Sequence, residues 1–321
     1  MASSSGTSHS QSRDTSGSEM QPLSAAGTSV GVGARRPRMS RRARSARSQI
    51  LAMLVIIPGA ILFLAPFLWM LSTSLKDPRY VFLFPPQIIP DPIRFDSYRQ
   101  VFERVPFFHY GWNTLRMTVL CILGQLITAS MVAYGFARLR FPGRDVLFIL
   151  LLSTIMLPTQ VTLIPSFLIF RYLGWIDTFK PLIVPDWLGG SAFTVFLLRQ
   201  FISTLPIEMD EAAKIEGCSY FGIYWRIILP LIKPALAAVS IFVFMWNWND
   251  IFYSLIYLNS QKNWTLALGL NFLRRSSPMG PGFLEANLIM AGSVIVMLPC
   301  LLVFFFAQKY FIQGIVFTGI K

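Results

Sequence analysis

Trp246, Asn247, Asn249 and Asp250 stand together in the short run WNWND, inside a long apolar stretch. If that stretch is helical, Trp246 shares a face with Asn249 and Asp250, at i+3 and i+4. An aromatic plane beside hydrogen-bonding groups suits a sugar, whose rings have apolar faces and polar rims. The same residues could instead bond across a helix bundle and serve packing alone. Gln160, between Pro158 and Pro165 in another apolar run, carries the same two readings. A second cluster lies in EAAKIEGCSYFGIYWRIILP, from Glu211 to Pro230. Glu208, Asp210 and Glu211 follow Pro206, and acids in a first turn suit the positive end of a helix. Ala212 and Ala213 keep that helix slim, Gly217 supplies its stop, and Ser219 caps a second helix that should end by Pro230. Such an elbow between apolar segments offers docking chemistry rather than catalysis.

Catalytic chemistry finds little support. Cys121, Cys218 and Cys300 are isolated, and His9 and His109 are far apart. They give no metal spacing and no disulfide framework. No paired carboxylates or Ser/His/Asp arrangement stands out, and no phosphate loop of the G-x-x-x-x-G-K-[ST] form occurs. Any ATP chemistry must therefore belong to a partner, and no catalytic or metal residue is expected here.

The elements that would position these residues are membrane spans. Hydrophobic residues make up 54% of the chain and charged residues only 13%, against roughly 25% charged in soluble domains. Mean hydropathy is +0.55. Six apolar runs approach or exceed the ~20 helical residues that cross a bilayer. They fall at about Ile50–Leu71, Asn113–Phe136, Val146–Phe170, Trp187–Phe201, Ala235–Leu258 and Ala286–Phe311. The fourth, opening near Gly189 and Gly190, is the shortest. Asp250 is the only acid that this division places near the middle of a span.

Eight arginines and two acids precede the first run, giving +6 of the net +13. Arg138, Arg140 and Arg144 crowd the connection after the second run, and Arg199, Lys214, Arg226 and Lys233 surround the elbow. With six spans these regions share one side, which the positive-inside rule makes cytoplasmic, along with both termini. Arg274 and Arg275 fall on the other side and weaken the pattern without reversing it. The basic excess therefore reflects topology rather than nucleic-acid binding. Residues 1–49 read as a disordered, basic cytoplasmic extension; its Ser/Gly-rich part has little to bury, and its arginine run could also touch anionic lipid. A cleaved signal peptide is not expected, and Met39 is an alternative start.

The elbow's spacing is specific. Glu211, Ala212, Ala213, Gly217, Ile227, Leu229 and Pro230 reproduce the signature of ABC-importer permease subunits. From about Ile50 to Lys321 the chain resembles the shorter permease of the maltose-permease type in carbohydrate-uptake importers. AYGFARLRFPGRDVLF, MLPTQVTLIP, LGWIDTFKPLIVP, WNWNDIFYSLIYL and QKYFIQGIVFTGIK carry the resemblance beside the elbow. It departs at Trp248, where the family often has an acidic residue.

The resemblance implies an all-α membrane protein: six transmembrane helices of the type I importer fold, with a cytoplasmic coupling helix in a loop at about 202–234. It implies half of a translocation pore in a bacterial or archaeal cell membrane. The expected partners are a second, longer permease, an ATPase homodimer carrying ATP and Mg, and an extracytoplasmic sugar-binding protein or lipoprotein. The outer segment Asn259–Glu285, with Trp264, Arg274 and Arg275, is expected to contact that binding protein. The cargo would be a di- or oligosaccharide or a related solute. The alternative is a secondary transporter or channel for small polar solutes, working without an ATPase.

Overall fold

The computed structural model describes residues 41–273 and 285–316, with side chains described for residues 52–273 and 285–308. The chain divides into two units, Met1–Gly59 and Ala60–Lys321. The described part of the first is helical from Arg41 onward, so helix reaches back into the segment read as a disordered extension. Residues 1–40, where the rest of that extension falls, lie outside the described residues.

Every regular element among the described residues is helical. In order they are α1 (Arg41–Ser74), α2 (Asp96–Arg104), α3 (Phe107–Arg138), α4 (Arg144–Ser153), α5 (Thr159–Tyr172), α6 (Lys180–Ile183) and α7 (Ala192–Ser203). There follow α8 (Glu208–Ile215), α9 (Tyr220–Ile223), α10 (Leu229–Leu231), α11 (Lys233–Trp248), α12 (Phe252–Tyr257), α13 (Leu266–Leu273) and α14 (Ala286–Val316). Four stretches are long and apolar enough to cross a membrane: Ala52–Ser74, Phe107–Arg138, Lys180–Ser203 and Ala286–Gln308. Two bent pairs, Arg144–Met156 with Thr159–Tyr172 and Tyr220–Leu231 with Lys233–Trp248, raise the number to six if each is one span.

Three of the six apolar runs are broken in the structure. The third run turns by 98° at Leu157–Pro158, where proline disfavours the helical conformation of the residue before it. The fifth run ends at Trp248 and restarts as α12, so Asn249 and Asp250 fall outside regular helix. The fourth is broken too. Gly189 and Gly190 adopt φ of 111° and 68°, values that glycine tolerates best. A Cβ on Gly190 would lie 2.8 Å from that of Ala129, so the kink also brings this segment close against α3.

Two apolar cores hold the second unit together. In one, Met117, Cys121, Ala129 and Ala133 of α3 meet Val195, Leu198 and Ile202 of α7, the elbow's Ala213, Ile223 and Ile228, and Val239 of α11. In the other, Val101 of α2, Tyr110 of α3 and Trp248 of α11 meet Leu266 of α13 and Leu288 of α14. By contrast, Leu62 and Phe63 of α1 are 74% and 86% exposed, an outward apolar face suited to hydrocarbon rather than water.

Candidate functional site: the elbow and the polar breaks in the spans

Pro206 leads into α8, whose first turn contains Glu208, Asp210 and Glu211. The helix ends in a left-handed turn at Gly217, φ 83°. Gly217 N–H donates to the Lys214 carbonyl (3.0 Å) and Cys218 N–H to the Ala213 carbonyl (2.9 Å). This paired closure satisfies the last carbonyls of the helix. Ser219 then caps α9, its hydroxyl accepting from Gly222 N–H at 3.2 Å. Gly217 and Ser219 thus have the local geometry expected of them.

The second helix does not stop before Pro230. A π-helical turn over Tyr224–Ile228 carries it through α10 to Leu231, and the 75° bend comes at the junction with α11. The π turn changes the hydrogen-bond spacing just before Pro230, which has no N–H to give.

The two sides of α8 differ. Asp210 and Ala213 face inward, 3% and 4% exposed. Glu211 and Ala212 face outward, as does Ile215 at 89% exposure. Asp210 lies against Arg138, the last residue of α3, with Nε 3.1 Å from Oδ2. Burial pushes the Asp210 carboxyl above its usual range, while Arg138 and Lys214 pull it back. Ile227, Leu229 and Pro230 follow on the rising arm, Ile227 and Leu229 half-buried.

The polar residues of the fifth run are held locally. Asn247 and Asn249 donate their side-chain amides to the carbonyls one turn back, Val243 (3.0 Å) and Met245 (2.8 Å). The Asp250 carboxylate caps α12, accepting from Tyr253 N–H (3.2 Å), Ser254 N–H (2.9 Å) and the Ser254 hydroxyl (3.1 Å). The shared helical face expected for Trp246, Asn249 and Asp250 does not form, because the helix ends at Trp248. Trp246 itself is 70% exposed. Trp248, where the sequence departs from the family pattern, is buried, donates its indole N–H to the Val296 carbonyl (3.0 Å) and stacks on Phe244. Gln160 lies exposed in the first turn of α5, beside the 98° bend.

Residues 125–316 match the family described as binding-protein-dependent transport system inner membrane component. The chain is 34% identical to the arabinooligosaccharides transport system permease protein AraQ of Bacillus subtilis (strain 168), over 82% of this chain and 92% of that protein. It is 29% identical to the sn-glycerol-3-phosphate transport system permease protein UgpE of Yersinia enterocolitica, over 82% and 94%. The chain belongs to this family. It is a permease subunit of a binding-protein-dependent ABC importer of the carbohydrate-uptake type, not a catalytic subunit. Its fold is similar to that of a bacterial ABC transporter involved in the import of the acidic polysaccharide alginate. That likeness has a TM-score of 0.73 at 24% identity and covers 86% of the permease and 100% of that chain. A second alginate transporter structure, in complex with a periplasmic protein bound to an alginate pentasaccharide, gives a TM-score of 0.61 at 16% identity.

The permease has further polar centres that hydropathy did not reveal. Asp186 lies within the Lys180–Ser203 stretch rather than outside a span, so Asp250 is not the only mid-span acid to consider. Its carboxylate accepts from the Gln125 amide (3.0 Å), and the Gln125 carbonyl accepts from the Thr194 hydroxyl (2.8 Å). This chain of bonds ties the broken segment to α3. Asp177, at φ 61°, accepts from Asn259 N–H (2.9 Å), Ser260 N–H (2.8 Å), the Ser260 hydroxyl and the Asn263 amide (3.3 Å). Desolvation raises the Asp177 carboxyl, but these bonds outweigh it and hold it at about 2.

The segment Asn259–Glu285 is only partly loop. Its α13 buries Leu266, Leu268 and Leu273, and a Cβ on Gly269 would lie 2.4 Å from the Tyr110 ring. Trp264 packs against Phe272, ring centres 4.6 Å apart. Asn113 of α3 donates to the Lys262 and Trp264 carbonyls, at 2.9 and 3.0 Å. Arg274 and Arg275 lie outside the described residues.

Proposed function

We propose that this permease pairs with a second, longer permease to enclose the pathway of a sugar importer, and that its elbow docks on a cytoplasmic ATPase. The two-sided elbow carries this reading. A short helix with one face locked into the core and the other presenting Glu211, Ala212 and the exposed Ile215 is built to receive a partner. ATP and Mg belong to the ATPase, a homodimer in this reading, and the permease binds no cofactor. The elbow, the α3–α4 connection and both termini are cytoplasmic, and Asp177, Trp264, Arg274 and Arg275 are extracytoplasmic. The segment carrying Trp264, Arg274 and Arg275 meets the extracytoplasmic sugar-binding protein.

The cargo is a di- or oligosaccharide or a related polyhydroxylated solute, in line with the names of the relatives. Among the pathway candidates, Trp246, Gln160 and Asn249 are exposed, but the Asn249 amide is bonded to the Met245 carbonyl, and Asn247 and Asp250 are half-buried and bonded to nearby backbone. Trp246 is therefore the stronger candidate for a sugar face.

The test is site-directed cross-linking. A complex carrying Ala212→Cys, in a background without native cysteines, is treated with a bifunctional thiol reagent against single cysteines in the groove of the co-expressed ATPase. A cross-linked permease–ATPase band is expected. Its absence alongside cross-linking from Gly143→Cys, on the neighbouring connection, would overturn the assignment of the elbow as the docking element.

A further inference from the structure

Arg138 and Asp210 join two elements that sequence distance does not connect. Arg138 ends α3, and Asp210 lies in the first turn of α8. Their side chains are only 6% and 4% exposed. Arg138 also donates through Nη2 to the Leu205 carbonyl at 2.8 Å, just ahead of Pro206. One guanidinium therefore holds both the entry to the elbow and its first helix. One turn back on α3, Tyr134 packs on Tyr224 (5.4 Å between rings), whose hydroxyl lies 2.7 Å from that of Ser130. The end of α3 thus touches the elbow on both sides of the Gly217 turn.

The ion pair is not arranged for greatest stability. The Arg138 Nε–H makes no directed hydrogen bond, and Asp210 Oδ1 is buried without a hydrogen-bond partner among the described residues. A buried pair short of hydrogen bonds returns little of its desolvation cost. Its geometry does give registration: Asp210 and Ala213 form the inner face of α8, directly behind the outward Glu211, Ala212 and Ile215. A displacement of the outer face reaches Arg138 through Asp210 without an intervening flexible segment.

We propose that Arg138 is a positioning residue for energy coupling: through Asp210 and the Leu205 carbonyl it makes α3 follow the elbow when the ATPase moves it. This rests on the docking of the elbow proposed above. Such a link suits a rigid-body switch, where a small shift at one end is passed along a packed helix.

The test uses the whole importer in vesicles, with R138K, R138Q, D210N and the R138Q/D210N double variant. The double variant removes both charges at once and leaves neither buried alone. ATPase co-purification, thermal midpoint, ATP hydrolysis and sugar uptake are measured on the same preparations. R138Q and R138Q/D210N are expected to retain the ATPase but lower the sugar moved per ATP hydrolysed by roughly tenfold, a common size for a coupling effect. R138K, which keeps the charge without the planar fork, should fall between these and the parent. If the pair is merely structural, yield and midpoint fall while sugar moved per ATP in the surviving complex is unchanged, and that result overturns the proposal. A parent complex that fails to retain any ATPase would overturn the docking reading and this proposal with it. Unchanged transport stoichiometry with the ATPase retained overturns this proposal alone.

Discussion

Replacing Asp177 should loosen the link between the α5–α6 connection and the segment after α12. Three hydrogen bonds of 2.8–3.3 Å, and a shorter one from the Ser260 hydroxyl, end on its carboxylate. A carboxyl held at about 2 instead of 3.8 corresponds to roughly 2 kcal/mol favouring the charged form. Partial solvent exposure screens this, leaving about 1–2 kcal/mol. The φ of 61° adds a second cost for Ala, about 1 kcal/mol, that Asp and Asn bear more easily and Gly avoids. Asp177→Ala should therefore lose about 2–3 kcal/mol, and Asp177→Gly and Asp177→Asn about 1–2 kcal/mol each.

At ~2–4 °C per kcal/mol, the Ala variant should melt roughly 4–12 °C below the parent. A thiol-reactive fluorophore can follow this in detergent, because Cys121 and Cys300 are buried until the protein opens; Cys218→Ser in the background removes the half-buried thiol. Because the folded carboxyl lies below its unfolded value, the contribution is complete above pH ~4 and fades as pH falls toward 2. Parent and Asp177→Asn should converge in that range. Equal midpoints for Ala and parent at pH 7, or an Asn variant as damaged as Ala, would refute the reasoning.

Other positions give sharper yes-or-no outcomes. A Cβ on Gly217 would meet nothing within 4 Å, so Gly217→Leu should cost only the ~1–2 kcal/mol of its left-handed backbone. That variant should reach the membrane but lose uptake at the docking step, with Gly217→Asn milder; normal uptake with Leu would count against docking there. Gly124→Val should lower the thermal midpoint by about 1–3 kcal/mol equivalent, because a Cβ there would lie 2.6 Å from the Trp187 ring; an unchanged midpoint would show that this contact yields freely. Cysteines near Pro90 should react with impermeant reagents on intact cells, and cysteines near Gly143 and Gly222 should not; labelling at Gly222 would reverse the proposed orientation.

The elbow was the most legible part of the sequence, because its structure is set locally. Gly217 closes a helix through its own backbone freedom, and Ser219 caps the next through a side chain three residues away from its partner. Hydropathy located the membrane segments but could not show where they break, since apolar content does not record a 98° turn at Pro158 or a kink at Gly189 and Gly190. A shared helical face for Trp246, Asn249 and Asp250 needs α11 to continue, but the helix ends at Trp248 and Asp250 instead caps α12. The long-range polar pairs were invisible for another reason. Asp210 reads as one of three acids suited to a helix start, and only the fold places Arg138 beside it, across 72 residues. Asp186 was hidden by a span boundary placed at Trp187, seven residues after the apolar stretch begins at Lys180, and its bonding chain through Gln125 to Thr194 needs the tertiary structure.

The most direct measurement is sugar uptake into vesicles holding the complete importer, with ATP and loaded binding protein supplied separately and together. Uptake should require both, should persist when ion gradients are collapsed, and should fall when Glu211 and Ala212 are replaced while the complex still assembles. Uptake driven by an ion gradient without ATP would contradict the account.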